Sequence, residues 1–258
     1  MRENIIQELS YQYSCPNNIS KDIILIVHDQ YELVKMCIES LCKTTTNYNL
    51  FIWDNNSNHE TRDFLESCNY YMMIRSKENR GFIYPNNTLA YFSESPYIIL
   101  LNTDVILSEG WSEALIGNSI ARNDAIVGYQ GGVINRDCLG IGKGHGSQID
   151  YVCGWCMCIP RKVYKDIGLF DDNLQFAYGE DSDFCLQAKK NGHDVYALYL
   201  PCARHVGGAT INEVMKTTDI MPSFISNHEY LKKKWEHYLE HDRVLVKQGE
   251  IFSTQVVI

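Results

Sequence analysis

Short unbroken apolar runs alternate with helical apolar spacing through the first hundred residues. "DIILIVHD" (22–29) is a continuous run, the pattern of a strand covered on both faces. Behind it, Leu33, Val34, Cys37, Ile38, Leu41 and Cys42 fall on one face of a helix. "YNLFIWDNNS" (48–57) predicts a second strand ending in polar turn residues, "RDFLESC" a helix, "YYMMIRS" a third strand and "NTLAYFSES" another helix. "YIILLNTDVIL" (97–107) predicts a strand interrupted by Asn102-Thr103-Asp104. Strand and helix alternating through short links predict an α/β fold with a mixed, mainly parallel central sheet flanked by helices.

The second half has a different texture. Residues 131–168 are glycine-rich and irregular, and "GIGKGHG" (140–146) reads as a mobile loop because no helical pattern follows it. A helix is expected from about Ser182 to Gly192, a suitable residue just past a helix end. "HDVYALYL" predicts a strand, 201–208 a loop, and "FISNHEYLKKKWEHYLEHD" a helical tail. The expected organisation is an arm at 1–21, one domain over 22–210 and a helical tail at 211–258.

Charge narrows the function classes. A net charge of −9 excludes nucleic-acid binding through a general basic surface. Lys232-Lys233-Lys234 is at most a peripheral contact for an anionic membrane, and more simply a solvated helix face. The start, "MRENIIQELSYQYSCPNN", has no long apolar stretch, and several of the ten cysteines sit on apolar faces. A reducing cytoplasm is therefore the expected compartment.

In an open parallel sheet, ligands bind beyond the carboxyl ends of the strands. Three predicted strands end in acids or their neighbours: His28-Asp29, Asp54-Asn55-Asn56 and Asn102-Thr103-Asp104. Turn chemistry explains one such ending; three on one edge predict a polar cleft. Asp104 suits a hard divalent cation shared with substrate phosphates, or serves as a turn residue or helix cap. Glu180, Asp181 and Asp183 crowd a loop-to-helix junction, where mutual repulsion raises carboxylate pKa values and suits a general base. Capping explains part of that cluster. His205 is a candidate nitrogen ligand. "CGWCMC" (153–158) lacks the second pair that zinc needs and the thioredoxin-like context of a redox pair.

Taken in order, these segments resemble glycosyltransferase family 2, inverting sugar transferases with the GT-A fold. "IILIVHDQYELVKMCIESL", "FIWDNNS", "ENRGFIYPNN", "LLNTDV" and "GWCMCIPRKVYKDIGLFDDNLQFAYGEDSDFCLQAKKNG" are similar to its successive motifs over about 22–210. The resemblance implies a nucleotide-sugar half over about 22–107 and an acceptor half over about 108–210. It implies donor contacts at Asp29, Asp54, Asn79, Gly81, Asn87, Asn102 and Thr103, and Mn²⁺ or Mg²⁺ at Asp104 and His205. Asp181 falls where the catalytic base stands, and Trp155, Glu180 and Asp183 become candidates for orienting donor or acceptor, Trp155 by stacking on a sugar. The implied partners are a nucleotide-diphosphate sugar and an acceptor hydroxyl on a glycan or lipid-linked sugar, in glycan, polysaccharide or glycolipid synthesis. Two departures are visible: Asn102 replaces the first Asp of the metal motif, and His28-Asp29 stands where a Tyr-Asn or similar pair is common. A sugar nucleotidyltransferase would carry a basic Gly-rich loop after its first strand, which "IVHDQYELV" lacks. A non-catalytic carbohydrate-binding relative is the other alternative.

Overall fold

Alternate residues of the central strands feed two separate cores. Ile24, Phe51, Ile98, Leu100, Met157 and Ile159 pack on one face of the sheet. Ile23, Leu25, Leu50, Ile52, Ile99 and Leu101 pack on the other. Double coverage is why the strands read as continuous apolar runs rather than alternating ones.

The computed structural model describes residues 19–207, 215 and 219–239. The predicted arm therefore lies mostly outside the described residues, as does much of the tail. The strands that matter for the site are β1 (Lys21–Val27), β2 (Tyr48–Asp54), β3 (Met72–Arg75), β4 (Tyr97–Leu101), β5 (Val105–Leu107) and β6 (Ile126–Gly128). β7 (Gly131–Ile134), β8 (Gly140–Gly144) and β9 (Tyr151–Val152) follow, then β10 (Cys156–Pro160), β11 (Val195–Ala197) and β12 (Ala203–His205). The helices are α1 (Tyr31–Thr44), α2 (His59–Ser67), α3 (Ile83–Phe92), α4 (Trp111–Ala121), α5 (Arg161–Ile167), α6 (Glu180–Lys190) and α7 (Met221–His237).

The main sheet has the order β11-β6-β10-β4-β1-β2-β3. All of its neighbours pair in parallel except at β10, which runs antiparallel to both β4 and β6. That single reversal brings the residues just before β10 to the edge where the parallel strands end. It also accounts for the cysteine motif: Cys156 and Cys158 are buried at alternate positions along β10 in one core.

Several sequence expectations shift. The 201–208 segment contains β12, which pairs antiparallel with β5 and sets His205 opposite Val105. "GIGKGHG" is β8, paired with β7, rather than a loop. α6 begins at Glu180, so Glu180 and Asp181 lie in its first turn, not ahead of it. α3 begins at Ile83, four residues earlier than expected.

The opposite end of the sheet is tied by Asp22, which is fully enclosed. Its carboxylate accepts from Ser93 Oγ (2.6 Å), Glu94 N (2.8 Å), Ser95 N (2.8 Å), Ser95 Oγ (2.7 Å) and Asn49 Nδ2 (2.8 Å). Burial alone would raise its pKa, but these donors outweigh it and hold the carboxyl below 3.8. A lowered pKa stabilises the fold above the ordinary value, and the stability is lost as pH falls through the lower native value. Asp22→Asn should cost about 2–4 kcal/mol at pH 7. In urea titrations the gap from wild type should close below about pH 4; a gap that stays constant would overturn this account.

Candidate active site

The strand ends enclose a cavity of about 310 Å³. β1 supplies Ile26 and the following His28, and β2 supplies Asn55 just past its end. The link after β4 supplies Asn102, Thr103 and Asp104, and the approach to β10 supplies Cys153, Gly154 and Trp155. Asn79, Gly81 and Phe82 close one side; Phe176, Ala177, Tyr178, Glu180 and Asp181 close another, with His205 from β12.

Asp104 and His205 face each other at 3.1 Å from Oδ1 to Nε2. Their orientation does not make a hydrogen bond, and both atoms are buried without a hydrogen-bond partner. The separation matches adjacent ligands on an octahedral cation, about 3 Å for bonds of about 2.1 Å. A carboxylate oxygen and an imidazole nitrogen left unsatisfied in this way fit a divalent cation. Among the described residues no third His, Cys, Asp or Glu joins them, so remaining ligands would come from substrate oxygens and water. The segment is well anchored: Asn102 N donates to Trp155 O (2.9 Å) and Val206 N to Asp104 O (2.9 Å).

Asp181 uses the start of α6. Its Oδ1 accepts from Ser182 N (2.7 Å) and its Oδ2 from Gly154 N (3.2 Å). Burial raises its pKa against those two donors. Beside it, burial and then the Asp181 charge push Glu180 up to about 8, and Glu180 Oε2 has no hydrogen-bond partner. The loop entering α6 is held in unusual geometry, with Phe176 (φ 56°) and Tyr178 (φ 75°) both left-handed. Asn227 of α7 secures it: Oδ1 accepts from Gln175 N (2.7 Å), and Nδ2 donates to the carbonyls of Gln175 (2.8 Å), Ala177 (3.1 Å) and Tyr178 (3.0 Å). On its other side Phe176 O accepts from Phe82 N (2.7 Å). A Cβ on Gly81, at φ +72°, would lie 2.4 Å from that oxygen, so glycine is required there.

Other expected site residues lie elsewhere. Asp54 is enclosed and taken up by Ser57 N (2.8 Å) and Arg75 Nε (2.7 Å). Asp29 accepts from Asn58 N (2.5 Å) and pins two loops together. Asn87 clamps α3 to the 170–172 segment through Phe170 and Asp172. Asp183 accepts from Lys234 Nζ (2.9 Å) and Trp235 Nε1 (2.7 Å), which attaches it to α7 rather than to the cavity. Asn79 does line the cavity, its Oδ1 accepting from Gly81 N (2.9 Å). Trp155 lines it too, but its indole lies against His205.

Two polar residues of the cavity wall, His28 and Asn55, and one residue behind it, Asn227, were not among the expected site residues. His28 places Nδ1 3.0 Å from the Asn55 carbonyl, so Nδ1 is the donor and Nε2 of the neutral ring is an acceptor. Asn55 holds the neighbouring wall, with Nδ2 donating to Gly81 O (2.8 Å) and Oδ1 accepting from Arg80 N (2.9 Å) and Trp53 Nε1 (2.9 Å). Both adjoin residues chosen from the sequence, and counting one place along the strand end would have reached them. Asn227 carries no local signal, because its partners are 49 to 52 positions away.

The family model described as "Glycosyl transferase family 2" matches residues 22–179, more than half of the chain. The chain belongs to glycosyl transferase family 2. A second model, "Glycosyltransferase like family 2", matches 143–219. Among solved structures, the chain is similar to GalNAc-T7 with UDP, GalNAc and Mn²⁺. The TM-score is 0.62 at 13% identity, over 86% of this chain and 56% of that one. At that identity the likeness establishes the GT-A fold, and this chain spans little more than half of its neighbour. No curated protein matches the chain in sequence. No helix among the described residues is long and apolar enough to cross a membrane.

Glu180 sets a testable pH dependence. Its native pKa of about 8 lies above the ordinary 4.5, so its contribution to stability is fully present below 4.5 and is lost as pH rises toward 8. Glu180→Gln should therefore gain thermal stability relative to wild type between pH 5 and pH 8. Melting temperatures across that range check it, and parallel profiles would show that Glu180 is not buried as a neutral acid.

Proposed function

We propose that the protein is an inverting, metal-dependent hexosyltransferase that moves a sugar from a nucleotide-diphosphate sugar to a hydroxyl of a glycan or lipid-linked acceptor. One observation carries the reading. Four cavity-lining residues contribute buried polar atoms without hydrogen-bond partners: Asp104 Oδ1, Trp155 Nε1, Glu180 Oε2 and His205 Nε2. Native proteins rarely leave such groups orphaned. A cation with a polyhydroxylated, phosphorylated ligand would satisfy this combination. The UDP, GalNAc and Mn²⁺ held by the similar structure support the same classes of donor and cation.

In this scheme Asp104 and His205 would hold Mn²⁺ or Mg²⁺. The bound cation supplies Lewis-acid neutralisation of the negative charge that grows on the leaving group. Asn102 and Thr103 lie beside the phosphates, while His28, Asn55, Asn79 and Gly81 wall the nucleotide end. The amides of Gly154 and Ser182 hold the Asp181 carboxylate while it takes the acceptor hydroxyl proton. The hydroxyl oxygen then attacks the anomeric carbon as the bond to diphosphate breaks on the opposite face, through an oxocarbenium-like transition state. Glu180, neutral at pH 7, donates a hydrogen bond to a sugar or acceptor oxygen.

A panel of sugar nucleotides with acceptor, tested with and without Mn²⁺, should yield nucleoside diphosphate in a cation-dependent manner. Pyrophosphate release instead would indicate a nucleotidyltransferase. Asp181→Asn should lower kcat about 100- to 10,000-fold with the melting temperature kept. Turnover surviving that change would sink the base assignment, and a product that retains the donor's anomeric configuration would sink the single displacement.

A further inference from the structure

Trp155 touches both halves of the candidate cation site by two different routes. Its carbonyl accepts from Asn102 N (2.9 Å), fixing the start of the link that carries Asp104. Its indole lies parallel to the His205 ring, with centroids 4.9 Å apart and planes 8° from one another. Behind this pair, Tyr129 stacks on Trp155 at 6.3 Å and 20°. Tyr129 is itself fixed, its hydroxyl donating to Trp111 O (2.5 Å) inside the core. The three rings form a column from the core to the cavity. Trp155 is 8% exposed and makes no side-chain hydrogen bond.

His205 needs this support. Metal-ligating histidines ordinarily have their ring orientation set by a hydrogen bond from the second ring nitrogen to a carboxylate or carbonyl. No hydrogen bond to the His205 ring is found among the described residues; the polar group facing the ring is Asp104. What remains to set the ring plane is the indole.

We propose that Trp155 is the positioning residue of the cation site: its indole orients the His205 imidazole toward Asp104 while its carbonyl anchors the Asp104 segment. The role rests on the metal reading given above. It replaces the sugar-stacking role expected from the sequence, because the indole already has a ring partner in His205. It belongs to the ring and not to the indole N–H, so phenylalanine should serve and leucine should not.

Imidazole nitrogen favours the later first-row transition metals over Mg²⁺, which prefers oxygen. Losing the orientation of His205 should therefore weaken Co²⁺ more than Mg²⁺, whereas a general loosening of the fold would weaken both. Co²⁺ and Mg²⁺, each alone, are titrated calorimetrically into full-length wild type, Trp155→Phe, Trp155→Leu and His205→Ala, with melting temperatures in parallel. Trp155→Leu should lose about 10-fold or more in Co²⁺ affinity. Its Mg²⁺ affinity should stay within about 2-fold, His205→Ala should match it, and Trp155→Phe should stay close to wild type. Equal losses of both cations in Trp155→Leu, no loss of either, or a Trp155→Phe as weak as Trp155→Leu would overturn the proposal. If Trp155→Leu does not fold, Trp155→Phe against His205→Ala still decides whether a ring suffices. Unchanged Co²⁺ binding in His205→Ala would instead remove the metal reading on which the proposal rests.

Discussion

A carboxylate and an imidazole buried face to face, without a hydrogen bond between them, are the constraint on which the site depends. The Asp104 side chain is 4% exposed and that of His205 25%. Neither gains full compensation from the protein for leaving water. The surroundings hold the pair together nonetheless. β12 pairs with β5 in a register that leaves His205 opposite Val105, next to Asp104, and the Val206 amide is bound by the Asp104 carbonyl. Two segments a hundred residues apart are thereby locked at a spacing that serves a cation better than it serves either side chain.

The acidic side of the cavity follows a related logic with a different device. Glu180 and Asp181 sit in the first turn of α6, where helix amides and the macrodipole favour negative charge. Asp181 uses that benefit through Ser182 N and gains a second donor in Gly154 N. Glu180 shares the burial, and that burial together with the neighbouring Asp181 charge pushes its carboxyl up to about 8. Burial thus raises both adjacent carboxyls, against the amide donors that hold Asp181. The arrangement depends on a loop with two non-glycine residues in left-handed geometry, which costs of order 1–3 kcal/mol each. α7 stabilises that loop through Asn227, packs Leu231 over Gly179, and engages Asp183 through Lys234 and Trp235. A helix far along the chain thereby shapes the acidic wall.

Much of the fold was legible because its signals are local. Continuous apolar runs marked β1, β2 and β4, and those strands lie in the centre of the main sheet. The short strands β8 and β12 were not legible. Each is defined by a partner elsewhere in the chain, and Gly140–Gly144 has no apolar pattern to show it. Asp104, Glu180, Asp181 and His205 meet at one cavity, as ordered motifs suggested. Asp29, Asp54, Asn87 and Asp183 share the residue types of a site but lie outside the cavity lining and make hydrogen bonds within the protein. Composition cannot separate these two uses of a carboxylate or amide, because the difference lies in whether the protein supplies the partner.

That distinction also bears on Asn102. An Asp at that position would add a second negative charge beside Asp104 in a cavity whose lining among the described residues holds no Lys or Arg. Glu180 and Asp181 lie in the same enclosure, and further unpaired charge would raise the cost of burial. Asn102 lines the cavity with an amide and brings no such charge. Under the proposed metal-dependent function, the protein side of the site is less negative, so more of the cation's attraction would come from the donor diphosphate. Metal and donor should bind as a coupled pair, each tightening the other by the same factor. In that proposed function the neutral Asn102 makes firm holding of the cation depend on the donor, so that the cation is held when there is a leaving group for it to stabilise.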